Sequence, residues 1–258
     1  MTATREVPAF RTQPAPSRAE TARSVALSIV IPAFNEEERL PASLGAISAY
    51  LAARPSAPRV EVLVVDDGSF DATAARAEDA GRRYGLDLRV LRLPRNSGKG
   101  SAVRTGCLEA RGQSVLVTDA DLSTPIYEWE KLAAAHAPVA IGSRALDESL
   151  VKEEQPLYRK AMGKLFNRLV RLVAVPGIRD TQCGFKLFES AAAREIFSRA
   201  KVNRFAWDVE ALLLARQLGY AIAEVPVLWF NSKDSRVTLF GGAQAYWDVI
   251  RIRLTTKL

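Results

Sequence analysis

A chain of 258 residues, 48% of them hydrophobic, is long enough to bury one substantial core. Its formal net charge of +7 points to anionic partners: phosphates, nucleic acid or an acidic lipid surface. The lone His136 leaves almost no material for a histidine cluster or a serine–histidine pair, and the two cysteines, Cys107 and Cys183, give no disulfide framework and fit a reducing compartment.

Residues 1–24 mix Pro, Ala, Ser, Thr and Arg without a hydrophobic stretch, so they read as a disordered tail rather than a signal peptide. Residues 25–258 read as one domain, and no apolar run reaches the ~18 residues of a simple membrane-spanning helix. The expected location is cytoplasmic. From Leu27 onward short apolar runs alternate with helical stretches. Leu27–Ile31, Val60–Val65, Leu88–Leu93 and Ser114–Thr118 read as buried strands. Glu37–Ala53, Asp71–Tyr84 and Ser101–Ala110 read as the helices between them. That alternation predicts an α/β fold, a mostly parallel sheet flanked by helices. The second half is less regular: a mixed-charge, mobile loop over Ser143–Gln155, a helix over Pro156–Val175, and a short strand over Phe185–Phe188. A helix over Trp207–Leu218, an extended segment over Ala221–Phe230 broken by Pro226, and an amphipathic helix over Ala243–Leu258 follow.

In a parallel sheet, ligands bind beyond the carboxyl ends of the strands. Polar clusters stand at those positions: Pro32-Ala33-Phe34-Asn35-Glu36, Asp66-Asp67-Gly68-Ser69, Asn96-Ser97-Gly98-Lys99-Gly100 and Asp119-Ala120-Asp121. Taken singly, the first two are also ordinary turn compositions. Two aspartates one residue apart can turn their oxygens toward a single hard cation, with water and substrate phosphates completing its shell. A Walker A loop is excluded because Leu93 stands where its first glycine belongs, and the dinucleotide fingerprint fails at Val103.

The clusters in this order carry a resemblance. Together with Ile141-Gly142-Ser143-Arg144, Asp180-Thr181-Gln182-Cys183-Gly184-Phe185-Lys186 and Trp207-Asp208-Val209-Glu210, they resemble the family 2 glycosyltransferases of the GT-A fold. Within that family the likeness is to the dolichyl-phosphate glucosyltransferase and dolichol-phosphate mannosyltransferase branch. Leu122-Ser123-Thr124-Pro125 and the Gln182–Lys186 run lean toward the glucosyl side. The resemblance implies a UDP-sugar donor, a polyprenyl phosphate acceptor, and Mg2+ or Mn2+ as cofactor. It implies that Pro32, Ala33, Phe34 and Glu36 line the base and ribose, with Asp66 on the base edge and Asp67 beside it. Lys99, Gly100 and Ala120 would lie along the nucleotide, and Asp119 and Asp121 would hold the metal. Arg144 would meet a phosphate, and Asp208 and Glu210 would stand near the sugar, so that Asp121, Arg144 and Asp208 are the candidate catalytic residues. One position departs from the mannosyl pattern: Ser123 replaces a glutamine two residues after Asp121.

Between Pro156 and Arg179 the charged side chains are all basic, and Lys160, Lys164, Arg168 and Arg171 recur at helical spacing opposite Leu157, Ala161, Leu165 and Leu169. Such a helix suits a membrane surface or a phosphate, and a solvated charged face is the bland alternative. With the resemblance, Arg159, Lys160 and Lys164 join Arg144 as candidate holders of the acceptor phosphate, and the protein is expected to sit peripherally at the inner membrane face. Rival expectations are transfer of N-acetylgalactosamine or mannose (from GDP-mannose), and a soluble transferase with a small hydroxyl acceptor. Nucleic-acid binding is the weakest rival, because acidic strand-end clusters repel phosphate and the basic residues lack interleaved aromatics.

Overall fold

The computed structural model describes residues 24–54, 58–152, 170, 175–230, 251–253 and 256. The main sheet has seven strands: β1 (Leu27–Ala33), β2 (Val60–Asp66), β3 (Leu88–Arg92), β4 (Ser114–Val117), β5 (Val139–Ser143), β7 (Lys186–Glu189) and β8 (Ile222–Pro226). A separate parallel ribbon pairs β6 (Val151–Lys152) with β9 (Trp229–Phe230). The helices are α1 (Leu40–Ala52), α2 (Thr73–Arg83), α3 (Lys99–Glu109), α4 (Trp129–Ala134), α5 (Ser190–Arg199) and α6 (Trp207–Gln217).

The seven strands lie in the order β3-β2-β1-β4-β7-β5-β8. All neighbouring pairs are parallel except those of β7, which runs antiparallel to both β4 and β5. The mostly parallel α/β fold expected from the alternating pattern is therefore present, as a single domain. Every residue of β1 is buried, as a central strand covered on both faces requires. Alternate side chains feed opposite layers: Ile29 and Ile31 pack with Leu40, Leu44 and Ile47 of α1, while Val30 packs with Val103 of α3 and Leu212 of α6. Each such fully buried aliphatic side chain contributes about 1.5–3 kcal/mol of transfer free energy.

Boundaries shift for local reasons. β1 runs to Ala33 because Pro32 and Ala33 continue the register against Val65 and Asp66. α1 begins at Leu40 rather than Glu37, since Glu36–Arg39 is a tight turn whose Glu36 carbonyl accepts from the N–H of Arg39 and of Leu40. Pro41 then sits in the first helical turn, where its missing N–H costs nothing. The Ser143–Gln155 stretch, expected as a loop, contains a 3-10 turn over Glu148–Leu150 and the short β6. Three elements have no counterpart in the sequence reading: β5 as a strand, α4 and α5. The expected basic helix over 156–175, with Arg159, Lys160 and Lys164, lies outside the described residues. So does most of the expected last helix, although its Ile252 is buried in the layer over α3 and α6.

The strand order places the site. The chain runs outward through β1, β2 and β3, then returns to lay β4 on the other side of β1. Such a reversal opens a crevice beyond the carboxyl ends of β1 and β4. Because β7 runs the opposite way, its first residue, Lys186, comes to the same edge, paired with Val117 and Ile141.

Candidate active site

The turn after β4 carries Asp119 and Asp121. The Leu122 N–H donates to the Asp119 carbonyl (3.1 Å), and the Ser123 N–H donates to Asp121 Oδ1 (3.0 Å). Ser43 of α1 donates its hydroxyl to the Ala120 carbonyl (2.6 Å), which pins the turn from below. Leu122 adopts φ 47°, a left-handed backbone an apolar residue seldom takes, so the turn is held under strain. Asp119 Oδ1 accepts from Lys99 Nζ at 2.5 Å, with both side chains partly exposed. Gly184 closes the other side: a Cβ there would stand 2.4 Å from Asp119 Oδ2. Burial works against ionisation of Asp119, but Lys99, reinforced by Lys186 and Arg144, outweighs it and holds the carboxyl below the usual range. Burial likewise disfavours the Lys99 ammonium, and Asp119, then Asp208 and Asp121, override it and raise its pKa.

Around this turn stand carboxylates of a different kind, whose oxygens are taken up by backbone donors. Asp67 accepts from Ser97 N–H (2.8 Å) and Gly98 N–H (2.7 Å), so it fixes the loop entering α3. Burial raises its pKa against those two donors. Glu210 accepts from Lys201 N–H (3.0 Å) and Val202 N–H (2.8 Å), holding the segment that presses on α3's start. That pressing is close: a Cβ on Gly98 would meet the Asn203 carbonyl oxygen at 2.4 Å, and one on Gly100 the Val202 oxygen at 2.4 Å. Gly98 also adopts φ 101°, which only glycine takes without strain. Glu224 of β8 accepts from the N–H of Arg179 (3.0 Å) and of Asp180 (2.7 Å).

Asp180 in turn grips Arg144, at 2.7 Å to Nε and 2.9 Å to Nη2. The guanidinium stacks over the Trp229 ring at 5.4 Å. Burial alone would raise the Asp180 carboxyl, yet Arg144 brings it down to about 2. Lys186 is fully buried and donates to the carbonyls of Thr181 (3.0 Å) and Cys183, with Trp207 5.3 Å away below its ammonium. Burial lowers its pKa and Asp208 opposes that. Asp208 opens α6, is buried, and is raised by burial against the pull of Lys186.

At the outer end, two strand-end loops are laced together. Asn35, at φ 55°, donates its N–H to Ser69 Oγ (2.9 Å) and accepts from Phe70 N–H (2.9 Å). Asp66 Oδ1 accepts from Ser69 N–H (2.9 Å), and Phe34 meets the exposed Phe70 edge-on at 5.9 Å. A cleft of about 450 Å³ opens here, lined by Asn35, Glu36, Arg39 and Phe70 among others. It does not include the Asp119 turn, and its acidic lining makes it the flank of the site rather than the place of phosphate chemistry.

Residues 28–197 match the family model described as glycosyl transferase family 2. The chain belongs to this glycosyltransferase family. It is 42% identical over 234 residues to a dolichyl-phosphate beta-glucosyltransferase of Drosophila melanogaster, covering 86% of this chain and 72% of that protein. The Homo sapiens dolichyl-phosphate beta-glucosyltransferase is 39% identical over 242 residues, with 88% and 75% covered. Among solved structures, glucosyl-3-phosphoglycerate synthase from Mycobacterium tuberculosis in complex with Mn2+ and UDP-glucose superposes with a TM-score of 0.66 at 17% identity. That superposition covers 95% of this chain and 84% of the other and speaks for the shared fold alone.

For a family 2 glycosyltransferase the donor set can be tested against a divalent metal. Among the described residues no three acidic, His or Cys side chains converge into a ready-made cage. The turn offers two carboxylates, Asp119 and Asp121. That is a poor all-protein cage for calcium or zinc, but it suits a magnesium or manganese ion that shares its shell with water and a diphosphate. The residues fit.

The structure gathers Lys99, Asp119, Asp121, Arg144, Lys186 and Asp208 into one electrostatic neighbourhood. Several of the residues expected from sequence also have a structural setting in the fold. Gly100, expected along the nucleotide, is buried against the 202–207 segment and serves close packing. Asp67 braces the loop before α3, and Glu36 is locked in a two-point ion pair with Arg39 (2.6 and 2.7 Å). Pro32 and Ala33 are buried inside β1, and Glu210 accepts from the backbone N–H groups of Lys201 and Val202. Lys186 and Asp180 belong to the Asp180–Lys186 run, to which the sequence resemblance assigns no role. The mixture of charge and Gly-Phe in that run was the signal available.

Proposed function

We propose that this protein transfers glucose, with inversion, from UDP-glucose to a polyprenyl phosphate of the dolichyl type, using Mg2+ or Mn2+. The observation that carries this reading is the likeness to dolichyl-phosphate beta-glucosyltransferases, 42% identical for the Drosophila protein, along a chain whose Asp119–Asp121 turn lies at the sheet's crevice. Phe34 and Asp66 take the base end of the donor. Asp119 and Asp121 hold the divalent ion, which when bound would neutralise the departing diphosphate. Lys99 supplies a further positive charge beside it. Arg144, fixed by Asp180 and Trp229, presents a guanidinium of set orientation to the acceptor phosphate.

A phosphate monoester has a second pKa near 6, so at neutral pH the acceptor oxygen is already anionic and needs no strong base. The chain's contribution is positioning and charge neutralisation in a partly water-excluded crevice. The basic run over 156–179 extends this toward an anionic lipid surface on the strength of its spacing in the sequence. Peripheral attachment at the cytoplasmic membrane face belongs to the same proposal. No helix among the described residues is long and apolar enough to cross a membrane.

One observation favours a second reading. Asp208 is buried with a raised pKa, the condition of a general base poised for a hydroxyl acceptor. The test is to incubate the full chain with labelled UDP-glucose, Mn2+ and polyprenyl phosphate, with labelled GDP-mannose in parallel. Label that moves into the organic phase from UDP-glucose, and stays behind when EDTA is added, supports the proposal. Glucosyl product confined to water, with small hydroxyl acceptors preferred, rejects it.

A further inference from the structure

Lys99 does not stand beside the metal carboxylates as one positive charge among several. Its Nζ is on Asp119 itself, at 2.5 Å from Oδ1. Asp119 has little freedom to turn away from it, because the backbone of Gly184 packs against its other oxygen so tightly that a methyl group there would come within 2.4 Å. The backbone of Lys99 is equally fixed. Asp67 holds the two preceding N–H groups, and the 202–204 segment presses on the glycines to either side. What remains free to move is the four-carbon side chain of the lysine. Its ammonium is bonded to Asp119 and feels Asp208 and Asp121 as well, while Lys186 and Arg144, the other cations near Asp119, are engaged by the Thr181 and Cys183 carbonyls and by Asp180.

Resting on the metal-dependent reading above, we propose that Lys99 is a resident counter-cation that occupies the metal's carboxylate until donor arrives and then passes to the donor diphosphate. A divalent ion and an ammonium crowded onto Asp119 Oδ1 repel each other, so each weakens the other's hold on that carboxylate. In the free protein the lysine therefore competes with the metal. Once a nucleoside diphosphate is bound, its oxygens give the ammonium another partner, Asp119 is released, and the same lysine favours the metal–nucleotide complex. Metal and nucleotide are thereby coupled through one side-chain rotation, with no loop movement required.

The signature is a reversal of sign. Mn2+ binding to the full-length wild type and to Lys99→Met is measured by the loss of the free-ion EPR signal, with and without UDP, and Lys99→Gln serves as a second variant. Thermal melting checks that each is folded. Without UDP, both variants are expected to bind Mn2+ about tenfold more tightly than wild type, as removal of a contacting like charge demands. With saturating UDP the order inverts, wild type binding more tightly, so that UDP strengthens Mn2+ binding far more in wild type than in the variants. Variants that bind Mn2+ equally or more weakly without UDP overturn the exchange while leaving the metal site standing. Absence of Mn2+ binding to wild type even with UDP removes the metal reading and this inference together.

Discussion

Gly184→Ala isolates the placement of one carboxylate. The added Cβ would stand 2.4 Å from Asp119 Oδ2 and 2.7 Å from Oδ1, where ordinary contact begins at 3.4 Å, so the carboxylate must retreat by about 1 Å. Gly184 is not among the glycines with left-handed φ, so alanine fits its backbone. The atoms that must yield are the tip of a side chain. The fold therefore survives at the cost of the half-exposed Lys99–Asp119 pair, about 1 kcal/mol or less. For a chain of this size that is a Tm decrease of about 2–4 °C at most. Function should suffer far more, because a 1 Å displacement of a group that positions the reacting centre costs on the order of 100-fold in rate. Turnover of labelled UDP-glucose, Mn2+ affinity in the presence of UDP, and a thermal melt read the three quantities on one preparation. Gly85→Ala is the control: its φ of 63° makes alanine strained, but nothing lies within 4 Å, so it should lose stability and keep turnover. A Gly184→Ala enzyme within about threefold of wild-type turnover would refute the placement of Asp119.

Three further outcomes are expected. Asp121→Ala should abolish measurable turnover with an unchanged melting curve, read by radiolabel transfer and circular dichroism, because Asp121 is only partly buried and accepts from the Ser123 N–H within its own turn. Gly98→Ala should behave oppositely to Gly184→Ala, losing about 2–4 kcal/mol in urea melts, since its Cβ would meet the Asn203 backbone oxygen at 2.4 Å and its φ of 101° strains any side chain. Asp180 has a pKa of about 2 in the fold against 3.8 unperturbed, so its ionised form is stabilised by folding. That contribution, on the order of 2 kcal/mol, is complete by about pH 5 and lost as pH falls toward 2. Asp180→Asn should therefore flatten the pH dependence of urea stability in this window.

Strand-end chemistry was legible because strands of this sheet are short apolar runs, and whatever polar residue follows one must emerge at the carboxyl edge. Asp66, Asp119 and Asp121 were singled out that way, and all three stand at strand ends, Asp66 closing β2 and the other two in the turn after β4. The antiparallel sense of β7 was not legible, because a period of two carries no direction. Reversal of that strand is what brings Lys186 to the site, where a lysine opening a strand reads as exposed. The insertion of β7 between β4 and β5 and the Asp180–Arg144 pair, 36 residues apart, are long-range choices that local pattern cannot report. α5 escaped notice since Ser190–Arg199 begins without a capping side chain and half of its buried face is alanine.

The carboxylates of the site sort themselves by what they accept. Asp67, Glu210 and Glu224 each take two neighbouring backbone N–H groups, and Asp180 takes the forked edge of Arg144. Those oxygens are spent on holding loops in place, and a buried carboxylate so engaged has little left to offer a ligand. Asp119 is held instead by a flexible ammonium, and Asp121 and Asp208 by a single backbone N–H each, from within their own turn. Flexible or partial satisfaction is what a ligand can displace without unfolding anything. Bracing carboxylates on separate elements meet on the start of α3 and on Arg144, so the rigid set fixes the frame against which the movable set acts. Neutralising a bracing residue should therefore perturb the melt and turnover together, whereas neutralising Asp121 or Asp208 should separate the two.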